Sequence, residues 1–259
     1  MIEKQSKIPV YLQVQRFIEE LIEGADYGPG DHIPSERALA DQLDVNRLTV
    51  RKAIDRLVSY GRLERNSTSG TRIPEPRLHR HAETGPNFGS LTRAIQLSSG
   101  TPSSRLLHFE LSKAKDAIAS NLAIPVDTDV VIVRRLWRVD DIPIIIETSY
   151  IPAATVPNLE AEDLIAGQSL YALFRERYGI VAAISKRTIS VHVPTSFEEK
   201  TLMLPPHSST LLMRMIVEDT NGRPIEYVRS VNHPVHVNFQ TAPQASEQAQ
   251  VGLTGTKQL

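Results

Sequence analysis

A cluster of arginines in the first quarter of the chain is the clearest chemical feature of the sequence. Residues 47–65 carry six Lys or Arg against two Asp or Glu, whereas residues 1–46 carry four against nine. Arg47 and Arg51 are four positions apart, so on a helix their side chains share one face. An Arg fork can bind guanine O6 and N7 or a phosphate, which favours nucleic-acid binding. On charge alone, a solvated basic helix is the alternative interpretation.

The sequence offers little for catalysis, redox chemistry or metal binding. It has no cysteine, which excludes disulfides, thiolate metal sites and a cysteine nucleophile. It contains no nucleophile elbow, dinucleotide-binding glycine motif or phosphate loop. His79 and His81 lie in a segment with the composition of a polar, basic linker, so we do not expect a metal site there. We expect no catalytic residue, no metal and no cofactor.

Three amphipathic helices are expected to position the arginines. Apolar residues recur every three or four positions in three successive segments. The predicted helices span about 9–24, 35–43 and 47–60. Ser35 and Asn46 can cap the second and third helices, and Gly61 ends the third. Two short helices joined by a tight turn form a helix-turn-helix, whose second helix enters the major groove of DNA.

A hairpin is expected to follow the third helix. Residues 62–65 and 71–73 flank the polar, glycine-containing segment 66–70. This pattern predicts two short strands with a polar tip, which is the wing of a winged helix-turn-helix.

The runs PSERALA (34–40) and VNRLTVRKA (45–53), followed by Leu57 to Gly61, resemble the DNA-binding signature of the GntR family of transcription factors. The resemblance covers about residues 9–73 and implies binding to double-stranded operator DNA. Two positions depart from the family pattern: Asn46 replaces a Ser, and the wing reads RNSTSGT where RR-x-G-x-GT is common. The DNA-contacting residues that the resemblance implies are Ser35, Arg37, Arg47, Thr49, Arg51 and Gly70. Two of these have structural alternatives: Arg37 as a link between helices and Thr49 as a surface residue.

The second half of the chain has a different pattern. Residues 74–88 carry three prolines and little apolar content, which predicts a linker over 76–88 between a DNA-binding domain at 1–75 and a second domain at 89–239. Short apolar and β-branched runs then predict strands, and two hairpin signals indicate a largely antiparallel sheet. Intervening helical segments make the fold class α+β. Residues 240–259 have the composition of a disordered tail.

This second domain is similar to the UTRA effector domain of the HutC subfamily of GntR regulators, which has a chorismate-lyase-like fold. The resemblance is carried by the segments 89–92, 119–122, 135–138, 141–152, 169–179 and 221–226. It implies an effector-binding and dimerisation domain. The effector contacts that it implies are Ser90, Arg135, Glu147, Ser169, Tyr171 and Glu226.

The chemistry of this set suits a small polar or anionic metabolite. Arg135 and a helix N-terminus at Ser169 fit an anionic group, and the two carboxylates fit hydroxyls or an amine. An ion pair between Arg135 and Glu147 and a plain helix cap at Ser169 are the structural alternatives. Trp137 stands where sugar-phosphate sensors of the subfamily have the second Arg of R-x-R. We include it as a candidate effector contact that stacks on a ring or forms an apolar wall, with core packing as its alternative.

Together these features predict a transcriptional regulator, most simply a repressor, whose operator binding is controlled by a sugar phosphate, an amino acid or a related metabolite. An enzyme is the alternative, because the second domain resembles a lyase, but the sequence lacks any catalytic motif. We expect a homodimer formed through the C-terminal domain, since helix-turn-helix proteins match two-fold operators. The chain has no run of eighteen apolar residues and no signal-peptide core, so we expect a cytoplasmic protein without membrane contact.

Overall fold

The computed structural model describes residues 2–3, 6–66, 69–81, 91, 95, 100–165 and 168–240. The first part of this range is helical and ends in a hairpin, and the second is built on one large antiparallel sheet. The expected α+β class with a winged helix-turn-helix and a sheet domain is confirmed.

The N-terminal domain contains three helices, α1 (Val10–Glu23), α2 (Glu36–Leu43) and α3 (Arg47–Ser59). The predicted caps form: Ser35 Oγ accepts from Ala38 N, and Asn46 Oδ1 accepts from Leu48 N at 2.8 Å. The apolar stripes meet in one core, so the opposite face of α3 is left for solvent or a ligand. The fully buried members of this core are Val14, Ile18, Leu39, Val50, Ala53, Ile54 and Leu57.

The wing is present as predicted. Strands β1 (Glu64–Asn66) and β2 (Gly70–Arg72) pair in an antiparallel ladder. Gly70 has φ of +100°, a conformation that a side chain would strain, and it begins the returning strand. The hairpin is joined to the helices by an isolated bridge between His32 and Arg72.

A six-stranded antiparallel sheet forms the C-terminal domain, with the order β4-β5-β6-β9-β8-β7. Its strands are β4 (Pro102–Lys113), β5 (Asp129–Val139), β6 (Ile142–Pro152), β7 (Ala183–His192), β8 (Thr210–Glu218) and β9 (Pro224–Asn232). The expected hairpin turns join β5 to β6 and β8 to β9. The central strands are buried on both faces, so they can carry a binding site that water does not reach.

Short helices connect and cover the strands. They are α4 (Asp116–Leu122), α5 (Glu162–Ile165), α6 (Leu170–Tyr178) and α7 (Ser196–Thr201). Helix α6 places Leu170 and Phe174 in the main core, which also contains Val133, Met213 and Val228. This packing sets the N-terminus of α6 over the middle of the sheet.

The expected linker at 76–88 is partly wrong, because it begins with a packed strand. Strand β3 (Leu78–His81) pairs in parallel with β10 (Val237–Gln240) in a separate two-stranded sheet. Leu78 is fully buried beside Trp137 and Val237, so burial of this side chain holds the segment to the sheet domain. Residues 82–88 lie outside the described residues, as does the predicted tail except Gln240, which ends β10.

Arg77 joins the two domains just before β3. Its guanidinium lies 2.7 Å from Glu64 Oε1 at the base of the wing and 3.1 Å from Asp140 Oδ2 in the β5–β6 turn. Its backbone N donates to the carbonyl of His236, and a Cβ placed at Gly61 would lie 3.0 Å from His236 Nε2. The wing therefore contacts the sheet domain through the segment that leads into β3.

Candidate functional site

The exposed side of α3 carries arginines that converge on one carboxylate. Arg47 Nε and Arg51 Nη2 lie 3.1 and 2.9 Å from Glu36 Oε2. Arg65 at the wing reaches Glu36 Oε1 at 3.2 Å and Asp55 at 2.6 Å. The predicted shared face of Arg47 and Arg51 is thus present, and Glu36 holds both side chains at the N-terminal end of α3.

Glu36 was not predicted from the sequence as a functional residue. The hydrogen bond from Arg51 is the main reason that the pKa of Glu36 lies below its ordinary value, and burial opposes that effect. Its position at the first turn of α2 and its acidic type were the only signals, and both are also typical of a simple helix-end residue. The carboxylate places the guanidinium groups without filling their full donor capacity, since an Arg has five N–H donors.

The other predicted DNA-contacting residues occupy varied positions. Ser35 is the exposed cap of α2, and Gly70 is exposed at the wing. Arg37 is highly exposed and forms a long ion pair, at 3.9 Å, with Asp41 of its own helix, which does not support the alternative that it links two helices. Thr49 is half-buried on α3, one turn from the N-cap.

The predicted effector residues meet on one face of the sheet. Arg135 on β5 is paired with Glu147 on β6, and Glu147 is paired in turn with Ser230 on β9. Side chains directly opposite one another on neighbouring strands are about 5 Å apart at Cβ, so these three form a continuous polar row. Two residues along β6, Ser149 shares the face of Glu147.

Arg135 is the centre of this row. Its side chain is 5% exposed, and Nη2 lies 3.3 Å from Glu147 Oε1. Nη1 donates to the carbonyl of Gln168 at 3.3 Å, just before α6, and the guanidinium carbon lies 4.8 Å from the Trp137 ring centroid. The structural ion pair considered from the sequence is therefore present. Its long contacts leave the guanidinium able to exchange partners with an anion.

Glu226 on β9 and Tyr171 on α6 extend the site beyond this row. Glu226 is buried and Tyr171 is half-buried, and Ser149 and Tyr171 lie near the Glu226 carboxyl, where each acts to lower its pKa. Desolvation raises the pKa of Glu226 to about 7, and the nearby charge of Glu147 adds to that rise. Glu226 Oε2 has no hydrogen-bond partner among the described residues. A buried carboxyl oxygen without a donor is costly, so this atom is suited to a donor from a bound molecule.

Ser169, Trp137 and Ser90 complete the predicted effector set. Ser169 caps α6, and its Oγ accepts from Ala172 N at 3.4 Å, which is the structural alternative considered for it. Trp137 is almost fully buried in an apolar cluster with Leu78 and Ile144, yet its Nε1 has no partner within the described part of the chain. Ser90 lies outside the described residues.

Arg80, a residue near this site, could not be predicted from the sequence pattern. It lies buried on β3, and its Nη1 donates to Ser230 Oγ and Asn232 Oδ1, each at 2.8 Å. The alternation of buried Leu78, exposed His79 and buried Arg80 is the pattern of a strand. The strand is only a few residues long and lies between prolines and other polar residues, so its composition is that of a linker.

Neither a metal site nor a membrane span is found in the described part of the chain. Among the described residues, no group of three or more histidine and acidic side chains is arranged to hold a metal ion. None of the described helices is both long enough and apolar enough to cross a membrane.

Comparison with known families matches both halves of the chain. Residues 10–73 match the bacterial regulatory proteins of the gntR family, and residues 98–237 match the UTRA domain. The second match alone spans more than half of the 259 residues.

Individual relatives match nearly the whole chain. The HTH-type transcriptional repressor NagR of Bacillus subtilis is 27% identical over 230 residues, which cover 89% of this chain and 93% of the relative. A probable fructoselysine utilization operon transcriptional repressor of Escherichia coli is 28% identical over 211 residues, covering 82% and 84%. Among solved structures, PhnF from Mycobacterium smegmatis superposes with a TM-score of 0.60 at 26% identity, covering 90% of this chain and 99% of that one.

Proposed function

The chain belongs to the gntR family of bacterial regulatory proteins and carries a UTRA domain, and from that premise we propose which residues read DNA and what kind of molecule controls them. The protein is a metabolite-controlled, DNA-binding transcriptional regulator and not an enzyme. Its relatives are likewise named as transcriptional repressors. Its DNA contacts, its effector and its assembly are proposed below.

We propose that Arg47 and Arg51 read base edges in the major groove. Glu36 holds both guanidinium groups on the exposed side of α3, so their conformational freedom is already reduced before DNA binds. We assign contacts with the DNA backbone and the adjacent groove to Thr49 and to the exposed residues Ser35, Arg37 and Gly70. Such contacts position the protein, whereas the Arg contacts to bases provide sequence discrimination.

We propose that the polar row of the sheet domain binds the effector. The observation that carries this assignment is the buried Arg135–Glu147 pair with Tyr171 and Glu226 beside it, because buried charges and an unpartnered carboxyl oxygen are retained where function requires them. Arg135 takes an anionic group near the N-terminus of α6. Glu147 and Glu226 take hydroxyl or amine groups of the same molecule.

The effector is accordingly a small anionic metabolite with several hydroxyl or amino groups. Sugar phosphates, amino acids and sugar–amino acid conjugates have this chemistry. The Escherichia coli relative is named for the utilization of fructoselysine, which is a sugar–amino acid conjugate. Two relatives are named as repressors, which supports the proposal that this protein represses an operon. The enzymes encoded by that operon would metabolise the effector. Because its target is operator DNA, we place the regulator in the cytoplasm.

We propose a homodimer formed through the sheet domain. The edge strand β7 and the segment after it expose apolar side chains that a partner can cover, and 74% of Val191 is accessible. The exposed apolar residues of this region are Ile189, Val191, Val193 and Phe197. A two-fold dimer would present two α3 helices to a palindromic operator.

A thermal-shift screen followed by DNA retardation tests the proposed function. Sugar phosphates, amino acids, sugar–amino acid conjugates and phosphonates are added to the full chain, because a ligand of the folded state raises the melting temperature. Each stabilising compound is then tested for release of DNA from the intergenic region upstream of the gene. We expect release, with the compound recovered unchanged. A stabilising compound that is chemically converted, or that never affects DNA binding, would contradict the assignment.

A further inference from the structure

Arg80 brings a second guanidinium to the polar row that contains Arg135. Its Nη1 donates to Ser230, which is paired directly with Glu147, and Glu147 is in turn paired with Arg135. The two arginines therefore flank Glu147 on the same face of the sheet, one from β5 and the other from β3 above β9. Arg80 is 8% exposed, so its charge is largely removed from water.

Arg80 has no direct counter-ion within the described part of the chain. Its hydrogen-bond partners Ser230 and Asn232 are neutral, and no carboxylate of the described residues forms an ion pair with it. Desolvation lowers its pKa to about 10, and although Glu147 acts in the opposite direction, the charge of Arg187 lowers it further. A buried cation without an ion-pair partner is costly, and a bound anion would compensate the charge of Arg80.

We propose that Arg80 and Arg135 together bind a dianionic group of the effector, either a phosphate or a phosphonate. The inference rests on the proposed effector site. Trp137 occupies the position at which a second arginine of β5 would share this face, so β5 alone provides one cation. Arg80 supplies the other from a different strand. Two planar guanidinium groups can donate in parallel to several oxygens of one tetrahedral anion.

The position of Arg80 also links the anion to the DNA-binding domain. Arg77, three residues earlier, bonds to Glu64 of the wing and to Asp140 of the sheet domain. An anion that draws the Arg80 side chain toward Arg135 acts on the same short segment that holds the wing. If the effector makes different contacts with this segment in two placements of the wing, it shifts the populations of those placements.

Titration calorimetry on the full chain, with inorganic phosphate and glucose 6-phosphate as probes, tests this proposal. Arg80→Met keeps the apolar stem and removes the charge, so we expect binding to weaken about ten- to a hundredfold, the usual effect of removing hydrogen bonds to a charged group. Arg80→Lys keeps the charge without the planar fork and is expected to be intermediate. Arg134→Ala is the control, because it removes one positive charge from β5 on the opposite face and should bind as wild type does.

The outcomes separate this inference from the proposed function. Wild-type affinity in Arg80→Met, together with loss of binding in Arg135→Ala, would overturn the role of Arg80 and leave the effector site in place. Wild-type affinity in both variants would overturn the site itself. Absence of binding of either probe to the wild type would overturn a dianionic ligand. If Arg80→Met fails to fold, as judged by its melting curve, Arg80→Lys decides: binding equal to wild type would refute the two-arginine arrangement.

Discussion

Arg47 and Arg51 share Glu36 as a partner, although they come from α3 and the carboxylate comes from α2. Helical spacing predicted that the two arginines lie on one face, but it could not predict the residue that orients them, because Glu36 is brought near by the packing of α2 on α3. The same is true of Arg80, whose neighbour Ser230 is 150 residues away in sequence.

Replacing Arg47 with Ala is expected to weaken specific DNA binding by about 1–3 kcal/mol for each base that the guanidinium no longer reaches. Arg51→Ala should have an effect in the same direction. The measurement is fluorescence anisotropy with upstream DNA at fixed salt, with circular dichroism to show that the fold is intact. Arg16→Ala is the matched control, since Arg16 lies on α1 and pairs with Glu20 of the same helix. Unchanged affinity in both α3 variants would show that α3 does not read the operator.

Glu226 makes stability depend on pH. Its carboxyl keeps a proton up to about pH 7 in the folded protein and loses it near 4.5 in the unfolded chain. The folded state therefore binds more protons between these values, so the stability contributed by this group falls as pH rises from 4.5 to 7. Above about pH 7 the buried, ionised Glu226 should lower the free energy of unfolding by an amount on the order of 3 kcal/mol, and Glu226→Gln should remove this destabilisation.

Urea unfolding at several pH values measures this effect. The difference in unfolding free energy between Glu226→Gln and wild type should grow as pH rises through the 4.5 to 7 window. Parallel pH profiles for wild type and Glu226→Gln would refute the buried, protonated carboxyl.

Among the elements, the strands β3 and β10 were not predicted from the sequence. The helices, the wing and the six long strands were expected, because each has a local apolar period or a turn signal. The β3–β10 pair has neither: its strands are four residues long, parallel, and separated by most of the sheet domain. The contacts that stabilise such a pair exist only once the rest of the domain has folded, so composition alone indicated a linker.

Leu78→Ala tests whether β3 is packed. Leu78 is fully buried beside Trp137, so its truncation should destabilise the sheet domain by about 2–5 kcal/mol through reduced burial and a residual cavity. Leu111→Ala, at a side chain that is 63% exposed, should have an effect within about 0.5 kcal/mol. Chemical unfolding of both variants gives the comparison. If Leu78→Ala is as stable as wild type, the segment is an unpacked linker and not a strand of the sheet domain.

For the whole molecule, the proposed dimer would connect one effector site in each chain to a two-fold operator. Light scattering at micromolar concentration should give twice the chain mass of 28.8 kDa. Val191→Lys combined with Val193→Lys places charge on the exposed apolar surface formed by β7 and the segment after it, and should raise the monomer fraction and weaken operator binding. Ile165→Lys, another exposed apolar position, is the control. A wild-type monomer with full operator affinity would contradict the proposed assembly.

The central claim is that a ligand in the sheet domain controls DNA binding by the winged helix-turn-helix. The most direct test is release of the upstream DNA from Arg135→Ala, titrated with the compound that releases it from the wild type. We predict that Arg135→Ala binds DNA with wild-type affinity and is not released, because it retains α3 and lacks the buried cation that we propose binds the effector. Glu147→Gln should be released less readily than wild type, since it keeps an acceptor oxygen and loses the charge. Release of Arg135→Ala at wild-type effector concentrations would show that the effector binds elsewhere and would contradict the account.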